Sequence, residues 1–415
     1  MKNQVIIEAL RRGLPPERGV GLYSVGHEKL INGIKRFHLS QIPEVGKIRF
    51  VSGSWGSGKT HFFRLLREVA FSENCLVSNV ELNVNEAPLN KFERVFYSIV
   101  RNITTPSSYE IGIVEASPFS NVVFEALSKF GDRGENDEEI SYETYAKACE
   151  ILMANKGIDI DFKKIIQEYW KTYLLEGAEK SIVDQKREEI LQWFAGEGTK
   201  GVYRKNFGVN KMVSRDNAKI MLQSLSEFVK LAGYRGLVIL FDEAEQSYST
   251  MRKSALRDAH NNLLSLINGI EALSGIFLVY ATTPDFYIDS KHGIVVYGAL
   301  SGRIGKPEDH PPKALDTVWN LDAVVPTLDN YHEVAKKIRS LYLETDPQTE
   351  ELVMNEGELV SFVDDLYDLH PSLSSVRFWR VLVAGLIKKF DEQMEEEEVQ
   401  TEQIYDDIMD LLREE

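Results

Sequence analysis

The sequence predicts an α/β protein: a parallel sheet core with a large helical insertion and a C-terminal helical lid domain. Three observations carry this. A short apolar strand, Lys47-Ile-Arg-Phe-Val-Ser, runs into a glycine-bearing loop and then a helix. A second apolar run, Gly236-Leu-Val-Ile-Leu-Phe-Asp-Glu, is unbroken until its two final carboxylates, the pattern of a strand buried on both faces of a parallel sheet. Between them, residues 111–230 are helical in pattern, far more chain than a strand-to-strand crossover of a dozen or so residues requires.

The first strand leads into Gly53-Ser-Trp-Gly-Ser-Gly-Lys-Thr, which fits G-x-x-x-x-G-K-[ST] through Gly53, Gly58, Lys59 and Thr60. Such a loop wraps a phosphate with inward-pointing N–H groups, here from Gly53, Ser54, Gly56, Ser57 and Gly58. Lys59 reaches the β and γ oxygens, and the Thr60 hydroxyl ligates Mg²⁺. His61 follows at the start of a helix whose N-terminal dipole also faces the anion, and it joins the nucleotide-binding set. At the end of the second run, Asp242 is placed to hold Mg²⁺ through water and Glu243 to polarise the attacking water. Together these motifs define a P-loop NTPase core that takes ATP or GTP.

The other elements follow in order. Residues 1–46 form an N-terminal helical segment, and its Val25-Gly26 sits where such elements lie over an adenine ring. The core takes 47–110 and 231–325. It holds the loop strand, a strand at 75–83, a helix near 89–103, the carboxylate strand, a long helix at 252–273, a strand ending Ala281-Thr-Thr-Pro, and a fifth strand at 317–323. The insertion, 111–230, carries helices at Tyr142–Met153, Phe162–Leu175, Ile182–Phe194 and Asn217–Leu231; Pro106 and 131–139 mark where it begins. From 326 to 415 the pattern is all helical, with Val334, Ile338 and Leu341 on one helix and Val376, Trp379, Val383 and Leu386 on another.

Three further residues complete a candidate catalytic set. Thr282 and Thr283 end the strand expected between the two motif strands, and Thr283 is the better candidate to sense the γ-phosphate. Arg303, in Ala299-Leu-Ser-Gly-Arg-Ile-Gly, lies where oligomeric ATPases of the AAA+ type carry an arginine that acts on the neighbouring subunit's nucleotide. Arg377 begins a helix of the C-terminal region and is placed to touch the same nucleotide from the lid.

Composition excludes several classes. No run of 18 or more apolar residues exists, and the N-terminus lacks a secretory apolar region. Two cysteines, Cys75 and Cys149, sit in apolar contexts, as reduced core residues of a cytoplasmic protein do. No Cys or His cluster has metal-ligand spacing. The net charge of −16 opposes wholesale coating by nucleic acid. One local patch runs the other way: Lys200, Arg204, Lys205, Lys211, Arg215 and Lys219 stand against the single acid Asp216, with Tyr203 and Phe207 interleaved. The cations suit DNA phosphates and the rings suit base stacking.

The opening Ile6-Ile-Glu-Ala-Leu-Arg-Arg-Gly-Leu-Pro-Pro-Glu-Arg-Gly, the Trp55-Gly-Ser-Gly-Lys-Thr-His-Phe loop, Leu240-Phe-Asp-Glu-Ala-Glu and Ala281-Thr-Thr-Pro together resemble one P-loop family. It is that of the ATP-binding proteins of BREX-type bacteriophage-resistance loci, in particular the smaller one. More distantly the chain resembles the AAA+ branch of the origin-recognition initiators. The resemblance implies ATP and Mg²⁺ as ligands. It also implies a cytoplasmic homo-oligomer working with other defence proteins, a helicase-like one among them, on phage DNA. One departure concerns the initiators' terminal winged helix. Only 25 residues follow Phe390, fewer than the roughly 50 an independent domain needs. Three readings stand side by side: a hydrolysing AAA+-like machine, a nucleotide-gated switch with little turnover, and a DNA-loading or translocating ATPase. No nuclease, methyltransferase or protease constellation is present.

Overall fold

The computed structural model describes residues 2–111, 118–131, 140–174, 179–242, 251–345, 350, 352–369, 375–395 and 399–411. Six strands form one sheet: β1 (Lys47–Ser52), β2 (Cys75–Glu81), β3 (Ile103–Thr104), β4 (Gly236–Asp242), β5 (Ile276–Thr282) and β6 (Val318–Asn320). Their order is β3-β2-β4-β5-β1-β6. Every pairing is parallel except that of the two-residue β3 with β2. β5 therefore lies between the loop strand β1 and the carboxylate strand β4.

Each strand alternates between two cores, as the period-2 geometry of a strand requires. Val51, Val77, Val238, Leu240, Val279 and Trp319 face one side, packed with α3 (Glu28–Ile34) and α4 (Lys59–Ser72). Phe50, Leu76, Ile239, Phe241, Leu278 and Tyr280 face the other. There they meet a large helical layer: α5 (Phe92–Arg101), α7 (Pro118–Ser128), α8 (Tyr142–Ala154), α9 (Ile160–Lys171), α10 (Lys180–Gln192), α11 (Lys200–Phe207), α12 (Ala218–Leu231) and α13 (Lys253–Gly269). Burial on both faces is why the strands read as continuous apolar runs. At about 1.5–3 kcal/mol per buried large apolar side chain, these two cores hold the loop ends of the strands in place.

A third core joins the two ends of the chain. α1 (Lys2–Arg11) contributes Ile6, Ile7 and Leu10, and α2 (Val20–Tyr23) contributes Tyr23. They pack with α16 (Leu328–Leu343), α17 (Glu356–Asp368), α18 (Ser375–Met394) and α19 (Thr401–Leu411). Capping boxes start α16, at Thr327 with Asn330, and α17, at Asn355 with Glu358. Arg11 makes a two-pronged bond to Asp391, at 2.7 and 2.9 Å, and the Tyr342 hydroxyl donates to the same carboxylate at 2.8 Å.

Several elements differ from the sequence expectation. The strand expected at 75–83 ends at Glu81, and the fifth expected strand, at 317–323, shortens to Val318–Asn320 before a 3₁₀ turn, Leu321–Ala323. β3 was not foreseen, because two residues carry no periodicity. Pro106 opens a helix, α6 (Pro106–Ile111), since proline is favoured in a first turn. Short helices α14 (Asp285–Ile288) and α15 (Gly298–Ile304) follow β5. Cys75 is buried and Cys149 half-buried. No described helix is long and apolar enough to cross a membrane.

Candidate functional site

The loop between β1 and α4 is shaped by its glycines. Gly58 takes φ +87°, a left-handed conformation that favours glycine, and a Cβ on Gly53 would meet Ser57 Oγ at 2.1 Å. The Gly53 N–H donates to the Thr282 carbonyl at 3.2 Å, which ties the loop to the end of β5. Lys59 Nζ curls back to the carbonyls of Gly53 (2.7 Å) and Ser54 (3.2 Å). Ser57 Oγ is buried with no hydrogen-bond partner among the described residues, so a donor inside the loop is left for an oxyanion. Trp55, at the loop's apex, is 70 % exposed.

Thr60, at the start of α4, and Asp242, at the end of β4, line one cleft of about 170 Å³. Glu17, Phe63, Arg64, Asn79, Glu81 and Leu240 share that lining. Its donors are hydroxyl, carboxylate and amide oxygens, the set that suits a hard divalent cation. No group of three His, Cys, Asp or Glu residues among those described is arranged to hold a metal by itself. A cation here would take Thr60 together with water and nucleotide phosphates in its shell, as Mg²⁺ at phosphate sites ordinarily does. Glu243 lies outside the described residues.

The remaining candidates are placed as follows. The Thr282 hydroxyl lies 3.0 Å from the Val51 carbonyl, to which it donates, and 2.8 Å from the Tyr287 hydroxyl, so it serves the core. Thr283 follows it, 5 % exposed. His61 turns away from the loop, with Nε2 2.7 Å from Ser24 Oγ and Nδ1 3.5 Å from the Tyr23 hydroxyl. Burial, with lesser contributions from His27 and Arg64, pushes its pKa down to about 3. His27 is lowered as well, again by burial. Both rings are therefore neutral near pH 7, and among the described residues Lys59 and Arg64 are cations at the site. Val25 is buried against the C-terminal helices, with Gly26 beside it. Arg303 is exposed on α15. Arg377 is in the first turn of α18, and its side chain lies outside the described residues.

One expectation is overturned. Tyr203 and Phe207 are 1 % and 7 % exposed, and the Tyr203 hydroxyl donates to the Glu189 carbonyl at 2.8 Å. On α11 these residues are four apart and point into the core, while Lys200, Arg204 and Lys205 point outward. The rings cannot stack on bases; the cations alone are presented to solvent. Of the rest of that patch, Lys211 is exposed, Arg215 lies 3.7 Å from Asp258, and Lys219 Nζ donates to Ser265 Oγ.

The structure also adds residues that sequence reading missed. Arg64 and Arg67 on α4 bind the carbonyls of Pro15 and Glu17 and the Glu17 carboxylate. Glu68 accepts the N–H groups of Gly19, Val20 and Gly21 at 2.6–3.0 Å and the Tyr109 hydroxyl at 2.7 Å. Their spacing from Thr60, by four, seven and eight residues along one helix face, was the available signal. Asp322, after β6, binds Ser54 of the loop; nothing in the sequence flags a contact between residues so far apart.

A mostly parallel sheet with the phosphate loop, Thr60 and the strand-end Asp242 gathered at the carboxyl ends of its strands is the architecture of a nucleotide-binding α/β protein. Within that class, the chain belongs to the family of BREX system ATP-binding proteins BrxC/D, whose model matches residues 1–408. That membership carries ATP binding and a place in a phage-defence system. No curated protein and no solved structure matches the chain.

Proposed function

We propose that the chain binds ATP–Mg²⁺ and hydrolyses it as an oligomeric, AAA+-like component of its defence system. The observation that carries this reading is the meeting of Thr60 and Asp242 in one cleft beside the loop of Lys59. In it, the loop N–H groups and Lys59 hold the phosphates, and Thr60 and Asp242 hold the cation that offsets charge on the transferring group. Glu243 polarises the attacking water, Thr283 senses the γ-phosphate, Arg303 acts on a neighbouring subunit, and Arg377 reports from the lid. Residues 111–230 then form an insertion and 326–415 a lid on a cytoplasmic machine. Partners, among them a helicase-like protein, carry its action to DNA, and the exposed cations Lys200, Arg204, Lys205, Lys211 and Arg215 contact DNA phosphates without base stacking.

The test is binding, turnover and mass measured together. Lys59→Ala should lose ATP binding. Asp242→Asn and Glu243→Gln should bind ATP but release phosphate at least tenfold more slowly, as expected when a group acting in the transition state is removed. Light-scattering mass should rise with ATP–Mg²⁺ in the wild type and persist in Glu243→Gln. A monomer under all conditions removes the role of Arg303 in trans.

A second reading, a nucleotide-gated switch with little turnover, draws on a different observation. His61 of the loop helix shares Ser24 with Lys337 of α16, through contacts of 2.7 and 3.1 Å. ATP would then act by favouring one arrangement of the C-terminal helices. Tight binding without phosphate release, alone or with DNA and partners, selects this reading.

A further inference from the structure

Glu81 has no task in the reading above. It ends β2 in parallel register with Asp242 at the end of β4. Strand parity puts both on the same side. Cys75 and Val77 of β2, and Val238 and Leu240 of β4, pack in the core shared with α4, and side chains two apart on a strand share a face. Asn79, Glu81 and Asp242 continue these rows past the apolar core, and all three line the cleft with Thr60.

The carboxylates of this cleft differ in what they already bind. Glu17 is held by Arg64 and Arg67. Glu81 is exposed and has no hydrogen-bond or ion-pair partner among the described residues. Neighbouring strands are about 4.8 Å apart, so Glu81 and Asp242 set two negative charges side by side. Like charges directly across a strand pair are unfavourable. Arg64, which lines the same cleft, offsets part of the Asp242 charge, and a divalent cation between Glu81, Asp242 and Thr60 offsets the rest.

We propose that Glu81 is a second carboxylate for the divalent cation of the nucleotide site, holding its water shell from the β2 side while Thr60 and Asp242 hold it from the α4 and β4 sides. This rests on the nucleotide-site reading and adds a residue to it. A magnesium-type cation keeps several waters at such sites, and groups that bind those waters tune affinity without direct ligation.

Mn²⁺ is the probe. It is titrated into the full chain saturated with a non-hydrolysable ATP analogue, and free Mn²⁺ is read by electron paramagnetic resonance. Glu81→Gln should weaken Mn²⁺ about tenfold, the low end for a partner beyond the direct ligands. Its affinity for the analogue without metal should equal that of the wild type, which also reports an intact fold. Glu81→Ala should match Glu81→Gln, because the charge is what matters. Wild-type Mn²⁺ affinity in both Glu81 variants, with a loss in Asp242→Asn, overturns the role of Glu81. Wild-type affinity in Asp242→Asn as well overturns the nucleotide-site reading itself.

Discussion

The Asp322 carboxylate accepts both the backbone N–H of Ser54, at 2.9 Å, and the Ser54 hydroxyl, at 2.8 Å. Ser54 is the second residue of the phosphate loop. Asp322 lies in the 3₁₀ turn after β6, on the segment that leads into α16. The loop is therefore bound to the chain running toward the C-terminal helices, in addition to its own two flanking elements.

Removing that tie should loosen the loop. Asp322→Ala is expected to weaken binding of a non-hydrolysable ATP analogue about fivefold, a modest effect because the charged hydrogen bonds it removes are exposed to solvent. Isothermal titration calorimetry checks it. Unchanged affinity would show that the glycines and the Thr282 carbonyl alone shape the loop.

Ser24 links the loop helix to α16: its hydroxyl meets His61 Nε2, and its carbonyl accepts from Lys337 Nζ, which also pairs with Glu333 at 3.0 Å. Lys337→Ala should leave nucleotide affinity nearly unchanged while abolishing any ATP-dependent change in hydrogen exchange over residues 328–343. A wild-type exchange difference in that variant would place the coupling elsewhere.

Acid should destabilise the fold before its carboxylates titrate. Burial pushes the pKa of His38 and of His260 down to about 4, against about 6.5 in the unfolded chain. Between those values the unfolded state binds more protons, so stability falls as pH drops from about 6.5 toward 4. Urea midpoints measured from pH 7.5 to 5 should decline, and the decline should flatten in His38→Gln. An equal slope in that variant would rule His38 out as a source.

The burial of Phe207 makes a prediction opposite to base stacking. Phe207→Ala should cost about 3–4 kcal/mol of stability, whereas Arg204→Ala and Lys205→Ala should leave melting unchanged. If DNA binds this patch, the two cation variants reduce the salt dependence of its affinity. A Phe207→Ala protein of wild-type stability would contradict its place in the core.

The legible parts of the site were those in which chemistry and sequence spacing coincide. Gly53 to Thr60 is one contiguous loop, and Asp242 announces itself by ending an apolar run. The side chains that reach the site from elsewhere gave less. Arg64 and Glu68 look like ordinary surface residues of a helix until the Pro15–Gly21 segment is laid along them. The error over Tyr203 and Phe207 has the same origin: a four-residue spacing on a helix shows that two rings share a face, but not which way that face points.

The sequence by itself determined every strand but the two-residue β3, together with the phosphate loop, the strand-end Asp242 and the helical character of the rest, because each follows from local periodicity or from a loop whose conformation its own glycines dictate. Only the tertiary structure decided that Glu81 stands beside Asp242, that Asp322 binds Ser54, and that both ends of the chain share one core. Those relationships depend on strand order and on helix faces, which form by burying apolar surface between segments far apart in the chain and leave no mark in the spacing of neighbouring residues.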